Sequence, residues 1–192
     1  GYRAIRYCLD HPEIFRPQLA AILRAAAFGP VQLMLPMIAA TDEVEQAKEA
    51  IDGVRRELKE RGSATGPVSV GVMMETPAAA VMAEQLAEMV DFFSIGTNDL
   101  TQYLFAADRN NAQVAALNSY FQPALLRVVE HICRCAHEKG VEVGICGQAG
   151  EVEQLIPLWV GMGVDELSVS IPSIPRVRRR ISRCDTAACR AL

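Results

Sequence analysis

Two carboxylates, Glu75 and Asp99, each stand just beyond an apolar run, and two such groups brought together can hold a hard cation. With oxygen donors and no neighbouring His–Cys cluster, the pair suits Mg²⁺. That ion takes one or two carboxylates and fills its other positions with water and substrate oxygens. Arg109 sits in the polar break Asp108-Arg109-Asn110-Asn111, and Arg3 lies ahead of a helical stretch. Either guanidinium could read a phosphate or a carboxylate, because its planar fork meets two oxygens at once. Cys146, between Ile145 and Gly147, could serve as nucleophile or acid. Each residue also has a plainer use. Glu75 could cap a helix starting near Thr76-Pro77, Asp99 could be a turn residue, the arginines could form surface ion pairs, and Cys146 could be core packing. His11, His131 and His137 carry no motif and read as surface or packing residues.

The elements that must position these groups alternate between strand and helix. Val31–Ile38, Val68–Met74, Asp91–Ile95, Val141–Ile145 and Glu166–Val169 are short apolar runs of strand length. Between them lie helical patterns. Val44, Ala47, Ile51, Val54 and Leu58 step by three and four, with Thr41-Asp42 before them and Gly62 after. Ala78–Met89 is helical by alanine content, Pro123–Lys139 is amphipathic with Gly140 past its end, and Val152–Met162 follows. The basic run Arg176–Arg180 sits on a terminal helix and reads as a solvated face. Strands apolar throughout, each followed by a helix, predict a parallel sheet covered on both faces, either doubly wound or a (β/α)8 barrel. No G-x-G-x-x-G or G-x-x-x-x-G-K-[ST] follows a strand, which weakens the nucleotide-binding option. Glu75, Asn98 with Asp99, and Cys146 close successive strands, and chemistry gathered at carboxyl-terminal strand ends suits the top of a barrel.

Composition sets the outer bounds. The chain has 192 residues, 51% hydrophobic and 22% charged, with a formal net charge of −4 and 6% aromatics. Such a chain is globular and lacks the basic excess and stacking surface of a nucleic-acid binder. No apolar run reaches the roughly 18 residues of a membrane span. Six cysteines without a C-x-x-C pair point to a reducing, cytoplasmic compartment.

The segment SIGTNDLTQY (Ser94–Tyr103) resembles the phosphoenolpyruvate-utilising enzymes, and most closely Enzyme I of the bacterial sugar phosphotransferase system. So do GYRAIR (Gly1–Arg6), LPMI, GVMMETPAAA (Gly71–Ala80), AADRNN, CGQAG, and GMGVDELSVS followed by SIPRV, in the same order over nearly the whole chain. The resemblance implies a (β/α)8 barrel that binds phosphoenolpyruvate and Mg²⁺ at its carboxyl-terminal rim. It makes Glu75 and Asp99 the metal ligands, and Asn98 and Arg109 the groups that hold the phosphate. Arg3 becomes a further pocket arginine, and Cys146 the acid that protonates the enolate carbon. It also implies a homodimer, release of pyruvate, and passage of the phosphate through a histidine of the same enzyme to the HPr carrier.

Two departures accompany the match. Gln148 stands where Enzyme I usually has Glu, a spelling shared with phosphoenolpyruvate synthases. The strand count matches only the last five of eight, so the chain reads as an incomplete barrel domain lacking the phosphohistidine and carrier-binding domains and inactive alone. Other readings are a phosphoenolpyruvate synthase or pyruvate phosphate dikinase, a Mg²⁺-dependent pyruvate-enolate lyase or aldolase, and a non-catalytic dimerisation module.

Overall fold

The computed structural model describes residues 1–192. Five parallel strands form one sheet in strict chain order: β1 (Val31–Leu35), β2 (Val68–Met74), β3 (Phe92–Gly96), β4 (Glu142–Cys146) and β5 (Glu166–Leu167). Ahead of β1 come α1 (Ile5–Asp10) and α2 (Pro12–Ala25). The crossovers hold α3 (Thr41–Glu60), α4 (Pro77–Val81), α5 (Ala83–Ala87), α6 (Thr97–Leu104), α7 (Pro123–Glu138) and α8 (Ile156–Met162). Last come α9 (Ile174–Ile181) and α10 (Thr186–Arg190).

Strand order decides between the two architectures. A doubly wound sheet reverses direction at a switch point, whereas here every strand pairs with the next in sequence and no reversal occurs. Right-handed crossovers that always step the same way put every helix on one side, leaving the other side to become the inside of a barrel. The sheet is therefore a run of consecutive units of the (β/α)8 type. Of the two architectures the sequence allows, the barrel type is the one found: helices cover one face and the other faces inward. Toward the helices, Leu35, Val72, Met74, Phe93, Val143 and Ile145 are buried. The alternate residues Gln32, Ser94, Glu142 and Glu166 remain wholly or partly exposed, around a hollow of about 260 Å³.

The apolar steps of α3 all become buried core, and Glu43 accepts the backbone N–H groups of Ala39 and Ala40 (2.6 and 3.0 Å) at its start. That satisfies two donors which the helix itself cannot. Trp159 of α8 is fully buried, and its indole N–H donates to the Ala149 carbonyl at 3.2 Å. A side chain of that size contributes about 3 kcal/mol by leaving water, and its polar tip needs this acceptor.

Several boundaries differ from the sequence reading. The Ala78–Met89 helix is broken at Met82 into α4 and α5, α8 begins at Ile156 rather than Val152, and β5 has two residues. On α9, Val177 is buried while Arg176 meets the Glu153 carboxylate at 3.3 Å and Arg180 donates to the Glu153 carbonyl at 3.3 Å. The basic helix is thus partly solvated and partly tied to the loop beneath it.

Candidate functional site

Register brings the first three groups into line. Met74 pairs with Ile95 and Gly96 with Cys146, so Glu75, one residue past β2, comes level with Gly96 and Cys146. All three point into the hollow side of the sheet, since each continues the inward alternation of its strand. Gly96 makes room between the other two: a Cβ there would lie 2.8 Å from the Glu75 Cβ and 2.9 Å from its Oε2. The next residues start α6, which places Asn98 and Asp99 in its first turn, where the helix N-terminus favours negative charge. Asp99 is buried in a helix, not exposed in a turn. Thr76, not Glu75, caps the following helix: its hydroxyl accepts the Ala79 N–H at 3.0 Å and donates to the Ile38 carbonyl at 2.7 Å. Glu75 is thereby freed for the rim.

The arginines arrive from loops. Arg3 donates to Asp99 Oδ2 at 3.0 Å, and Arg109 approaches Asp99 Oδ1 at 3.9 Å. Arg109 rides on a strap between α6 and α7, tied down where its backbone N–H donates to Gln102 Oε1 (3.1 Å) and Asn118 donates to the Ala107 carbonyl (3.1 Å). Arg3, Glu75, Asn98, Asp99, Arg109 and Cys146 all line one pocket of about 240 Å³, together with Met73, Gly96 and Gly147. Groups separated by up to 143 positions of chain thus converge on a single cavity.

Backbone strain collects around it. The non-glycine residues with left-handed φ are Ala4 (56°), Met37 (63°) and Ala106 (49°). Ala4 follows Arg3, Ala106 begins the strap that carries Arg109, and the Met37 N–H donates to Glu75 Oε1 at 2.7 Å. Such conformations cost of order 1–3 kcal/mol each and persist where the surroundings over-determine them.

Burial raises the Glu75 carboxyl above its ordinary range; the Met37 N–H opposes this, and the neighbouring Asp99 charge adds to it. Burial likewise raises the Cys146 thiol, with Ser94 opposing and Glu75 adding, so the group is held as a neutral S–H. The metal expectation can be judged on the donors. Glu75 Oε1 is taken by Met37 and Asp99 Oδ2 by Arg3, while Asp99 Oδ1 is buried without a hydrogen-bond partner. Two crowded carboxylates with an orphan oxygen fit a hard divalent cation that keeps most of its sphere for water and substrate. Glu75 and Asp99 are the two carboxylates that line this pocket.

Tyr120 and Thr97, not singled out from the sequence, complete the rim. Asn98 Oδ1 accepts the Tyr120 hydroxyl at 2.7 Å and the Gln148 backbone N–H at 3.2 Å. Thr97 donates to the Cys146 carbonyl at 3.1 Å, tying β4 to the start of α6. The histidines lie elsewhere: His11 meets Glu13, His137 meets Asp165, and His131 lies against Arg134. The six cysteines are all free thiols.

Comparison with known proteins shows the family of the chain. The family model described as the PEP-binding domain of PEP-utilising enzymes matches residues 1–186. The chain belongs to this family. Among curated relatives it is 46% identical over 182 residues to the phosphoenolpyruvate-protein phosphotransferase of Staphylococcus carnosus (strain TM300), covering 94% of this chain and 32% of that protein. The match to the phosphoenolpyruvate-protein phosphotransferase of Bacillus subtilis (strain 168) is 46% over 184 residues, 95% of this chain and 32% of the relative. Multiphosphoryl transfer protein 1 of Escherichia coli (strain K12) is 44% identical over 193 residues, 100% of this chain and 23% of its own length. This PEP-binding domain therefore spans a third or less of the length of these relatives. Among solved structures, a citrate lyase from Burkholderia xenovorans LB400 superimposes with a TM-score of 0.67 at 22% identity, over 89% of this chain and 55% of the other. Pyruvate kinase from Pyrobaculum aerophilum gives 0.62 at 19% identity, over 90% and 40%. At those identities the likeness is one of fold.

Proposed function

We propose that this chain is the phosphoenolpyruvate-binding barrel portion of a phosphoenolpyruvate-protein phosphotransferase. The observation that carries the proposal is the convergence of Arg3, Glu75, Asn98, Asp99, Arg109 and Cys146 on one 240 Å³ pocket at the carboxyl ends of the strands. Kinship at 46% identity to enzymes of that name supports it. In this reading the barrel is shared with strands outside the chain, and the enzyme works as a cytoplasmic homodimer. Its phosphate acceptor is a histidine of another domain of the same enzyme, from which an HPr-like carrier takes the phosphate.

The roles follow from chemistry. Arg109 and the Asn98 amide hold phosphate oxygens, and Arg3 neutralises charge beside them. Mg²⁺ held by Glu75 and Asp99 would draw charge from the phosphoryl and carboxylate oxygens. Phosphoryl transfer has a loose transition state, so fixed cations and amides act by positioning and by stabilising charge. As the P–O bond breaks, the phosphoryl group passes to the histidine nitrogen and the electron pair stays on enolpyruvate. Cys146 then gives its proton to the enolate carbon, yielding pyruvate and a thiolate that regains a proton from solvent. A thiol raised by burial suits an acid, because it enters the step protonated.

The test is Mg²⁺-dependent exchange of labelled pyruvate into phosphoenolpyruvate by the full-length protein. Cys146→Ala is expected to lower exchange by about 10²–10⁴-fold while phosphoenolpyruvate still binds. Failure of the unaltered protein to bind phosphoenolpyruvate with Mg²⁺ would overturn the reading.

A further inference from the structure

Asn98 is useful to an anion only through its –NH₂ end, and an amide can turn over. Nothing in Asn98 itself sets which end faces the pocket. Its surroundings do. Oδ1 accepts two donors, the Tyr120 hydroxyl at 2.7 Å and the Gln148 N–H at 3.2 Å, both from loops outside α6. The Gln148 N–H can come this close because residue 147 is glycine at φ 95°; a Cβ there would lie 3.1 Å from Asn98 Oδ1 and 2.8 Å from Thr97 Oγ1. With the oxygen end occupied, the nitrogen end is left for the cavity that Asn98 lines.

The Tyr120 hydroxyl has a second neighbour, the Gln148 side-chain amide at 3.1 Å. A phenol owns one proton and cannot give it to two oxygens. The shorter contact takes it, and the Gln148 amide complements the phenol when its –NH₂ end faces the phenol oxygen. The order of donation then runs from Gln148 to Tyr120 to Asn98, and each contact in the relay pairs one donor with one acceptor. Burial holds the Tyr120 phenol protonated above its ordinary range, with Arg109 opposing.

We propose that Tyr120 is a positioning residue that fixes the amide of Asn98 with its nitrogen toward the pocket, and that Gln148 sets the direction of the phenol proton. This rests on reading the pocket as a phosphoenolpyruvate site. The strap supports the assignment, since the segment that delivers Arg109 also delivers Tyr120. Phosphate contact and amide orientation are thereby coupled through one loop.

The experiment uses the full-length protein, with phosphoenolpyruvate and Mg²⁺ as probe. Tyr120→Phe removes one hydroxyl and is expected to weaken binding about fivefold to tenfold, the worth of one hydrogen bond. In an Asn98→Ala background the same change is expected to add less than about twofold, because Tyr120 acts through Asn98. Gln148→Met, at an exposed position, is expected to weaken binding in the same direction and serves should the tyrosine variant fold poorly. A second readout needs no ligand: ¹⁵N relaxation of the Asn98 side-chain –NH₂ is expected to be rigid in the unaltered protein and mobile in Tyr120→Phe. Equal rigidity in both, or full additivity with Asn98→Ala, overturns the proposal. A relaxation change in a protein that does not bind phosphoenolpyruvate supports the positioning role and overturns the site reading instead.

Discussion

Arg3 and Asp99, 96 residues apart in the chain, meet at 3.0 Å, with Arg3 half exposed at 52% and Asp99 nearly enclosed at 9%. The pair ties the entry to the first helix to the start of α6, and it leaves the second Asp99 oxygen, Oδ1, without a hydrogen-bond partner. The Asp99 charge is also the main reason the Arg3 guanidinium is held still more firmly protonated than usual. Replacing Arg3 by Ala is expected to cost only about 1 kcal/mol of stability, because half of the guanidinium is in water. Phosphoenolpyruvate affinity is expected to fall at least about tenfold. Chemical denaturation and calorimetry on the same protein separate the two effects. Arg3→Lys should not restore affinity fully, since an ammonium lacks the fork.

Gly147→Ala is expected to be costly for its size. The residue has φ 95°, and the new Cβ would lie 2.8 Å from Thr97 Oγ1. The backbone penalty alone is about 1–2 kcal/mol. Displacement of Asn98 adds a loss of phosphoenolpyruvate binding that Gly140→Ala does not share. Gly140 has a similar φ of 73° with nothing within 4 Å of its Cβ position. Equal binding by both variants would refute the close-contact argument.

Glu151 joins two rim loops. Its carboxylate accepts the Ser170 N–H at 2.6 Å and the Ser173 hydroxyl at 2.8 Å. The backbone N–H of Ser170, then the serine hydroxyls, hold its carboxyl below the ordinary range. A depressed carboxyl stabilises the fold above its unfolded-state value, and that contribution fades as pH falls through the folded-state value. Glu151→Gln should therefore melt at a lower temperature than the native chain at neutral pH. The difference should shrink in acid, once the native carboxyl is protonated. A gap independent of pH would contradict the assignment.

Trp159→Phe keeps most of the buried ring but strips the donor from the Ala149 carbonyl. An expected loss of about 1–3 kcal/mol measures that orphaned acceptor, and urea unfolding reads it directly.

Much of the framework could be read from residue patterns, for identifiable reasons. The bounds of β2 and the apolar stripe of α3 follow from a run of strand length and from steps of three and four, which packing against the sheet leaves unaltered. Glu75, Asp99 and Cys146 stood out because polar or reactive residues recur at or shortly after the ends of successive apolar runs. The break at Met82 left no Gly or Pro to mark it. The start of α8 did leave a signal, Pro157 in the first turn, which favours a helix beginning at Ile156. The apolar pattern alone could not choose between the two sheet types, because Gly71, Met73 and Gly144 count as apolar although they face the hollow. Tyr120 was invisible for another reason: its role depends on a loop path, and an aromatic residue in a polar stretch has no period to betray it.

The order in which the strands pair bears on how the pocket is built during synthesis. Each strand finds its partner one unit behind, so the sheet can be laid down as the chain emerges, without waiting for a distant segment. Arg3, Glu75, Asp99 and Cys146 enter in that same sequence, and the thiol is last. A nascent chain ending before β4 would already hold Arg3, Glu75, Asp99 and Arg109, yet lack Cys146 and the Gln148 N–H that meets Asn98. The lining of the pocket is thus completed only once β4 and the loop after it have been made.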